Sequence, residues 1–437
     1  MTGSRPLRSS QDAWVIRGAR VARPLAGRAE TADVAVAGGR VLAIGERAEG
    51  PPGATEVDAS GLWLLPGWID LQVNDLAWLS SGPKDPEEHA ARVAEVLEVQ
   101  ARGGVTGLVL ATVASPVEDL LLYLRGIRLA MERRRPPAGG ALLGALVEGT
   151  FLNPACCGAH NPAWVEAPDA GLLEKLLETG AVRIVNIAPE ISPDAVACIR
   201  KASDRGVVVG VGHAKPHARA LREAVAAGAR YAIHLGNGPT GSSLKAFEDG
   251  GMLEECLRND GVTIGVILDG VHIHPEIARD WIARKGLART IAVSDAAFAT
   301  GVPPGEFEVF GIRGALSEDG RYLRVVRPGA PRTPGAERSS DFGPLFGSVA
   351  TLRDVFENAL RLLAREMPGV WHRAHPALPF EEAVLGAARL ASSNAAELLG
   401  ERDRGSIEPG FRGDLVLARI SGRPEEARVE VEATWVA

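Results

Sequence analysis

No stretch of this 437-residue chain approaches the ~20 consecutive apolar residues that a membrane-spanning helix needs. Cysteine is scarce. The four present, Cys156, Cys157, Cys198 and Cys256, have neither metal-ribbon nor disulfide-framework spacing, so a reducing, cytoplasmic setting is expected. Neither sign of charge dominates: 48 basic and 55 acidic residues leave a net −7, with no basic footprint for nucleic acid. The opening "MTGSRPLRSSQDAW" has no apolar core of the kind a signal peptide carries. What remains is a composition of ordinary soluble globular kind, 46% apolar and 24% charged. The length suits one large domain plus a small one, and a chain of this size can bury roughly 75% of its unfolded surface.

Two textures alternate along the chain. Residues 12–60 read as short strands ("AWVIRGARVA", "ADVAVAGGRVLAIG", "ATEVDAS") separated by glycine and polar turns. The C-terminus returns to that style in "GSIEPGFRGDLVLARI" and "ARVEVEATWVA". Both ends are therefore expected to build one small β-sandwich domain, residues 1–62 and 402–437. Between them eight apolar runs alternate with helical stretches: 63–73, 106–113, 141–148, 182–190, 206–213, 231–237, 263–272 and 290–296. Continuous apolar strands alternating with helices indicate a parallel sheet. Eight repeats over residues 63–401 point to a (β/α)8 TIM-type barrel, an open doubly wound sheet being the alternative. Residues 305–345 break the pattern and read as a hairpin followed by a Pro/Arg/Ser-rich loop. Directly after the eighth strand, this segment is either a lid over the barrel mouth or a surface insertion.

In such barrels chemistry sits at the C-terminal ends of the strands. Strand one ends at Gln72 and Asn74, strand three at Glu148, strand five at His213. Strand six carries His234 and Asn237, strand seven Asp269 and His272 with His274 beyond, strand eight Asp295. Each alone has a plain reading: a hydrogen-bonded wall histidine, an arginine partner for Glu148, a helix cap at Asp295. Glu148, His213, His234 and Asp295 share one end of four different strands, which makes them candidates for one cavity. A carboxylate with two imidazoles suits Zn²⁺ or a similar divalent ion, with a position left for water. Fe²⁺, Co²⁺ and Mn²⁺ accept the same donors. Asp295 is then the natural general base and, later, the acid.

The segments "LLPGWIDLQVN", "VEGTFLNPACCGAHNP", "VGHAKP", "AIHLGNGP", "DGVHIHP", "VSDAAFATGVPPGEFEVFG", "LFGSVATL" and "SSNAAELLGERDRGSIEPGFRGDLVL" resemble, in order, the N-acetylglucosamine-6-phosphate deacetylases of the amidohydrolase superfamily. The resemblance implies a metal-dependent barrel with a small β domain, usually a homodimer, that removes an acetyl group from the 2-amino nitrogen of a sugar phosphate. It implies Glu148, His213 and His234 as metal ligands, Asp295 as acid/base, and His160 as the residue that polarises the acetyl carbonyl. It places Gln72, Ala159, Asn237, Gly238, His272, Phe346, Gly347 and Ser348 at substrate-binding positions, His272 near the phosphate. Gln72 and Asn74 stand where most amidohydrolases carry a His-x-His pair. Neutral amides are poor ligands for a transition metal, which favours one ion over two.

Three features depart from the family pattern, and all bear on substrate recognition. Lys245 stands near the position of a phosphate-gripping arginine and lacks its planar two-pronged geometry; a solvated surface role is the alternative. Asp75 and Trp78 add bulk after strand one. The lid region is longer and richer in arginine and proline. An unphosphorylated N-acylated amine, or a non-catalytic sugar-phosphate sensor, therefore stand as alternative functions. Cys156 and Cys157, just before His160, read as packing residues or as thiols near the site.

Overall fold

A computed structural model describes residues 6–74, 85–133, 139–238, 240–309, 311–327, 342–367 and 375–437. The first six strands are β1 (Leu7–Ser9), β2 (Trp14–Arg23), β3 (Arg28–Ala37), β4 (Arg40–Gly45), β5 (Thr55–Asp58) and β6 (Trp63–Pro66). They join the last two, β19 (Leu415–Ser421) and β20 (Arg428–Val436), in one sheet of order β1-β20-β19-β6-β2-β3-β4, with β5 paired to β2. Both termini thus contribute to it, as the texture of the sequence implies. Alternation in β2 and β3 turns Ile16, Val21, Val34 and Val36 to one buried cluster with Leu64, Leu417 and Trp435.

The run read as a single first barrel strand is two strands. Trp63–Pro66 pairs with β19 and β2 in the small sheet, and only after Gly67 does the chain enter the barrel. The reason lies at Gly67: a Cβ there would sit 2.1 Å from the Thr106 hydroxyl, so only a glycine passes so close to the next strand.

The barrel strands are β7 (Trp68–Asn74), β8 (Val105–Ala111), β9 (Ala141–Phe151), β10 (Val182–Ile187), β11 (Val208–Val211), β12 (Ala229–Ala232), β13 (Thr263–Ile267) and β14 (Thr290–Val293). Neighbours pair in parallel and in sequence order. The ring closes where Val73 bridges Ala296 in parallel. Helices cover the outside through apolar faces spaced three and four apart, as Leu352, Val355, Phe356, Ala359, Leu360 and Leu363 show on the helix Leu352–Ala364. Inside, Ile69, Leu71, Val109, Leu146, Ile184, Val208, Ile291 and Val293 fill the barrel together with Leu398 and Leu399 from the helix Asn394–Leu399. That helix is tied to the start of β14, Asn394 Nδ2 donating to Thr290 O, so the plug lies at the end opposite the candidate site.

After β14 the chain forms a four-stranded antiparallel sheet, β15 (Glu306–Val309), β16 (Ile312–Leu316), β17 (Leu323–Val326) and β18 (Phe342–Leu345). This is the segment expected as a hairpin lid. It packs on the end of β14 through Phe298, Val309, Leu316, Leu323 and Phe346. Residues 328–341 of that segment, and Asp75 and Trp78, lie outside the described residues.

Candidate metal and acid/base site

Irregular ladders deliver the functional side chains. Between β9 and β10 the register passes from Val147↔Val185 to Phe151↔Ile187, so four residues of β9 advance against two of β10. Glu148 lies in that surplus, and such bulges re-aim side chains. A second register shift, between Asp70 and Val73 of β7 against β8, precedes Asn74.

His213, His234 and Asp295 each lie two residues past the last residue of β11, β12 and β14. All three have left-handed backbone, φ 47°, 26° and 51°, and among the described residues the only other non-glycine there is Asp249. Each such residue costs of order 1–3 kcal/mol, and the surrounding bonds must impose it. Ile233 N donates to Val211 O and Leu235 N to Gly265 O on either side of His234; Ser348 N donates to Asp295 O at 2.7 Å. Gly238 is required by contact as well as by its positive φ. A Cβ there would lie 2.3 Å from His213 Nδ1.

The side chains converge. Glu148 Oε1 lies 2.6 Å from His234 Nε2 and 3.3 Å from His213 Nε2, and accepts from Gln72 Nε2 at 2.8 Å. The His213 ring is edge-on to both His234 and His160, with centroids 4.9 and 4.8 Å away. Glu148, His160 and His213 also offer ligand atoms all within 4.8 Å of one another. Asn74 Nδ2 donates to Asp295 Oδ1. His213 Nδ1 lies 2.8 Å from the Cys156 carbonyl, a bond that places the proton on Nδ1 and leaves Nε2 for a ligand. Ala114 N–H donates to His160 Nδ1 at 3.0 Å, which puts the proton of a neutral His160 on Nε2. The loop carrying His160 is held by two Asn-Pro turns, Asn153 accepting from Ala155 N and Asn161 from Ala163 N.

Burial works to raise the Glu148 carboxyl, but the His213 and His234 imidazoles outweigh it and hold it well below the usual range. Burial pushes Asp295 up to about 6, opposed by His234 and reinforced by Glu148. His160 is pushed down to about 3 by burial and by the neighbouring His213, and so is neutral. Asp269 feels burial too, yet the bond to His272 Nδ1, 2.7 Å, and two backbone N–H groups keep it low. Burial pushes both the Cys156 and Cys157 thiols up, which leaves neither poised as a thiolate.

These groups line a cavity of about 230 Å³. Its floor holds Glu148, His160, His213, His234 and Asp295; Asn74, Ala159, Asn237, Gly238 and His272 lie around it; Val309, Leu345, Phe346 and Gly347 form the outer wall. Of the residues singled out in the sequence, Gln72 lies outside the wall and reaches the site through Glu148. Ser348 is buried behind Asp295 and touches it through the backbone. Lys245 is exposed on the loop after β12 and is not part of the cavity wall. His274 caps the helix Pro275–Lys285, its Nδ1 accepting from Glu276 N. The sequence reading missed Asp70, Ser294 and Phe298. Asp70 was visible there in principle, as a carboxylate inside the apolar run "GWIDLQV".

Similarity to known proteins agrees with this architecture. An N-acetylglucosamine-6-phosphate deacetylase of Lysinibacillus sphaericus is 24% identical over 396 residues, 90% of each chain. An N-acetylgalactosamine-6-phosphate deacetylase of Escherichia coli O157:H7 is 28% identical over 390 residues, 88% of this chain and 89% of that one. The N-acetyl-D-glucosamine-6-phosphate deacetylase of Mycobacterium smegmatis, solved as a mutant in complex with N-acetyl-D-glucosamine-6-phosphate, superposes with a TM-score of 0.76 at 26% identity, covering 95% of this chain and 99% of that one. The amidohydrolase family model matches residues 63–432, and the chain belongs to that family.

Proposed function

We propose that this protein is a hydrolase that removes the acetyl group from an N-acetylated amino sugar phosphate, releasing the free amine and acetate. The deacetylase relatives, which match nearly end to end, support the reaction class. The single observation that carries it is the convergence of Asp295 with Glu148, His213 and His234 on one cavity floor.

Glu148, His213 and His234 would hold one divalent ion, zinc first, with iron, cobalt or manganese accepting the same donors. The hydrogen bonds favour this set over one containing His160. His213 keeps Nε2 free because Nδ1 is engaged by Cys156 O, whereas both ring nitrogens of neutral His160 are committed, Nδ1 to Ala114 N–H and Nε2 to its own proton. When bound, the ion supplies Lewis acidity at the acyl carbonyl and a water acidic enough to lose a proton near neutral pH.

The chain's own groups do the rest. Asp295, steered by Asn74 Nδ2, takes the proton of the attacking water and then passes it to the departing amine nitrogen. His160 donates its Nε2–H to the carbonyl oxygen as negative charge gathers there. Being neutral, it offers this bond without giving up a proton. Gln72 orients Glu148. Ala159, Asn237, Gly238, Phe346, Gly347 and Ser348 surround or back the sugar. His272, braced by Asp269, faces its far end. The same reading takes the working enzyme to be a cytoplasmic homodimer.

One observation favours a second reading within the same chemistry. Lys245 is exposed, and the cavity wall among the described residues carries neither lysine nor arginine, so an unphosphorylated N-acetyl amine is the rival substrate. Acetate release from N-acetylglucosamine-6-phosphate, its galacto epimer and both unphosphorylated sugars, with metal analysis of the same protein, separates the two. The proposal expects stoichiometric divalent metal and a kcat/KM that is higher on the phosphorylated pair. Higher kcat/KM on the unphosphorylated pair selects the rival, and metal-loaded protein that releases acetate from none of the four overturns both.

A further inference from the structure

Beneath the floor of the cavity lies a carboxyl group that no step above uses. Asp70, in the middle of β7, is 1% exposed and is not part of the cavity wall. Its Oδ1 accepts from two backbone N–H groups, Gln72 N and Ser294 N, both at 3.3 Å. Its Oδ2 accepts from the Ser294 hydroxyl at 2.5 Å. That hydroxyl oxygen in turn accepts from Ala296 N at 3.0 Å. Ser294 is fully buried.

These bonds fall on either side of Asp295. Ser294 and Ala296 are its chain neighbours, and Asp295 between them has φ 51°, a left-handed state that aspartate reaches more readily than most residues but still at a cost. The barrel seam is thin here. The β7 and β14 strands stand at the two ends of the ladder path, joined beside the site by the Val73–Ala296 bridge and by Asn74 N donating to Ala296 O at 2.6 Å. Asp70 fastens the seam from within. Through Gln72 N it also fixes the residue whose side chain steers Glu148.

We infer that Asp70 is a positioning residue for the acid/base Asp295: with Ser294 it clamps the left-handed turn that aims the Asp295 carboxyl into the cavity. The inference rests on the deacetylase reading only in taking Asp295 as the acid/base. It goes beyond that reading in assigning the geometry of Asp295 to a carboxyl outside the cavity. A displacement of an acid/base group by about 1 Å is enough to cost on the order of 10²-fold in rate.

Steady-state kinetics of the metal-loaded full chain test it, using whichever acetylated substrate the wild type turns over best. Asp70→Ala is expected to lower kcat at least about tenfold, with KM within about twofold of wild type and metal content unchanged. Ser294→Ala, which removes the hydroxyl between Asp70 and Ala296 N, is expected to lower kcat in the same way. Asp70→Asn should restore most of kcat, because its Oδ1 still accepts from both N–H groups and its Nδ2 can donate to the Ser294 oxygen. If Asp70→Ala does not fold, Ser294→Ala and Asp70→Asn decide. Wild-type kcat in Ser294→Ala, an Asp70→Asn as slow as the alanine variant, or a raised KM together with loss of metal would each overturn the inference. Wild-type protein without turnover would instead sink the deacetylase reading, so the two failures are distinguishable.

Discussion

Glu148, His213, His234 and Asp295, on the floor of the cavity, are at most 6% exposed, and each makes at least one polar contact with another site residue or with the backbone. Val309, Leu345 and Phe346, on the outer wall, come from an inserted sheet and meet the cavity with apolar surface. The floor is built from bulged strands and left-handed turns, conformations a chain does not adopt cheaply. The wall is antiparallel sheet without left-handed non-glycine residues among those described, with Phe346 edge-on to Phe298 at 5.3 Å. The difference separates two jobs. A floor held by directional bonds fixes where protons and charge go. A wall held by dispersion can change shape between relatives while the reaction stays the same.

The largest expected effect is on the floor. Asp295→Asn keeps the shape and the bond to Asn74 but cannot carry the proton. We expect kcat to fall by about 10²–10⁴-fold, with metal content unchanged. Near wild-type turnover would end both the acid/base assignment and the division between floor and wall. On the wall, Phe346→Leu keeps an apolar side chain but loses the ring edge against Phe298. Because Phe346 lines the cavity, loss of the ring removes wall surface facing the substrate, so KM should rise severalfold while kcat stays within about twofold. A kcat loss in Phe346→Leu matching that of Asp295→Asn would erase the contrast.

The floor was far more legible in the sequence than the wall. Glu148 stood out as a charge ending an apolar run, and His213, His234 and Asp295 as polar residues ending others, because in a parallel barrel every such end faces the same way. The fold followed from the same periodicity. The reading erred at Gly67, where it ran one strand through the Pro66-Gly67 break; the dipeptide was visible, but apolarity on both sides does not say which neighbour each piece pairs with. It passed over Asp70, although "WIDLQV" carries the same signal as "ALVE", because Asp70 sits mid-strand and only the tertiary structure brings Ser294 to it. Phe298 and Val309 gave no sign at all. Nothing in an apolar residue's chemistry distinguishes core from cavity wall. Lys245 shows the opposite error. Its charge and position fit a phosphate grip, but the backbone after β12 leaves it in solvent.

The remaining expected effect is on stability and not on turnover, and it concerns the layer under the floor. Burial, tempered by the Ser294 bonds, pushes the Asp70 carboxyl up to about 7 from its ordinary 3.8. Below pH ~4 the folded and unfolded chains both hold this proton. Between pH ~4 and ~7 the folded protein keeps it while the unfolded chain releases it, so stability falls as pH rises, by at most about 1.4 kcal/mol per unit from this group. Above pH ~7 both forms are ionised and the slope from Asp70 vanishes. Asp70→Asn removes the titration, so the stability of wild type relative to this variant should decline from pH 5 to 7 and level off by pH 8. Urea unfolding at pH 5, 6, 7 and 8 measures that difference, with both proteins chelator-treated because metal binding has its own pH dependence. A difference constant across this range would mean that Asp70 ionises as freely in the folded barrel as in the unfolded chain. The floor would then rest on a buried charge whose hydrogen bonds fully offset its desolvation, and its contrast with the wall would be one of bonding alone and not of burial.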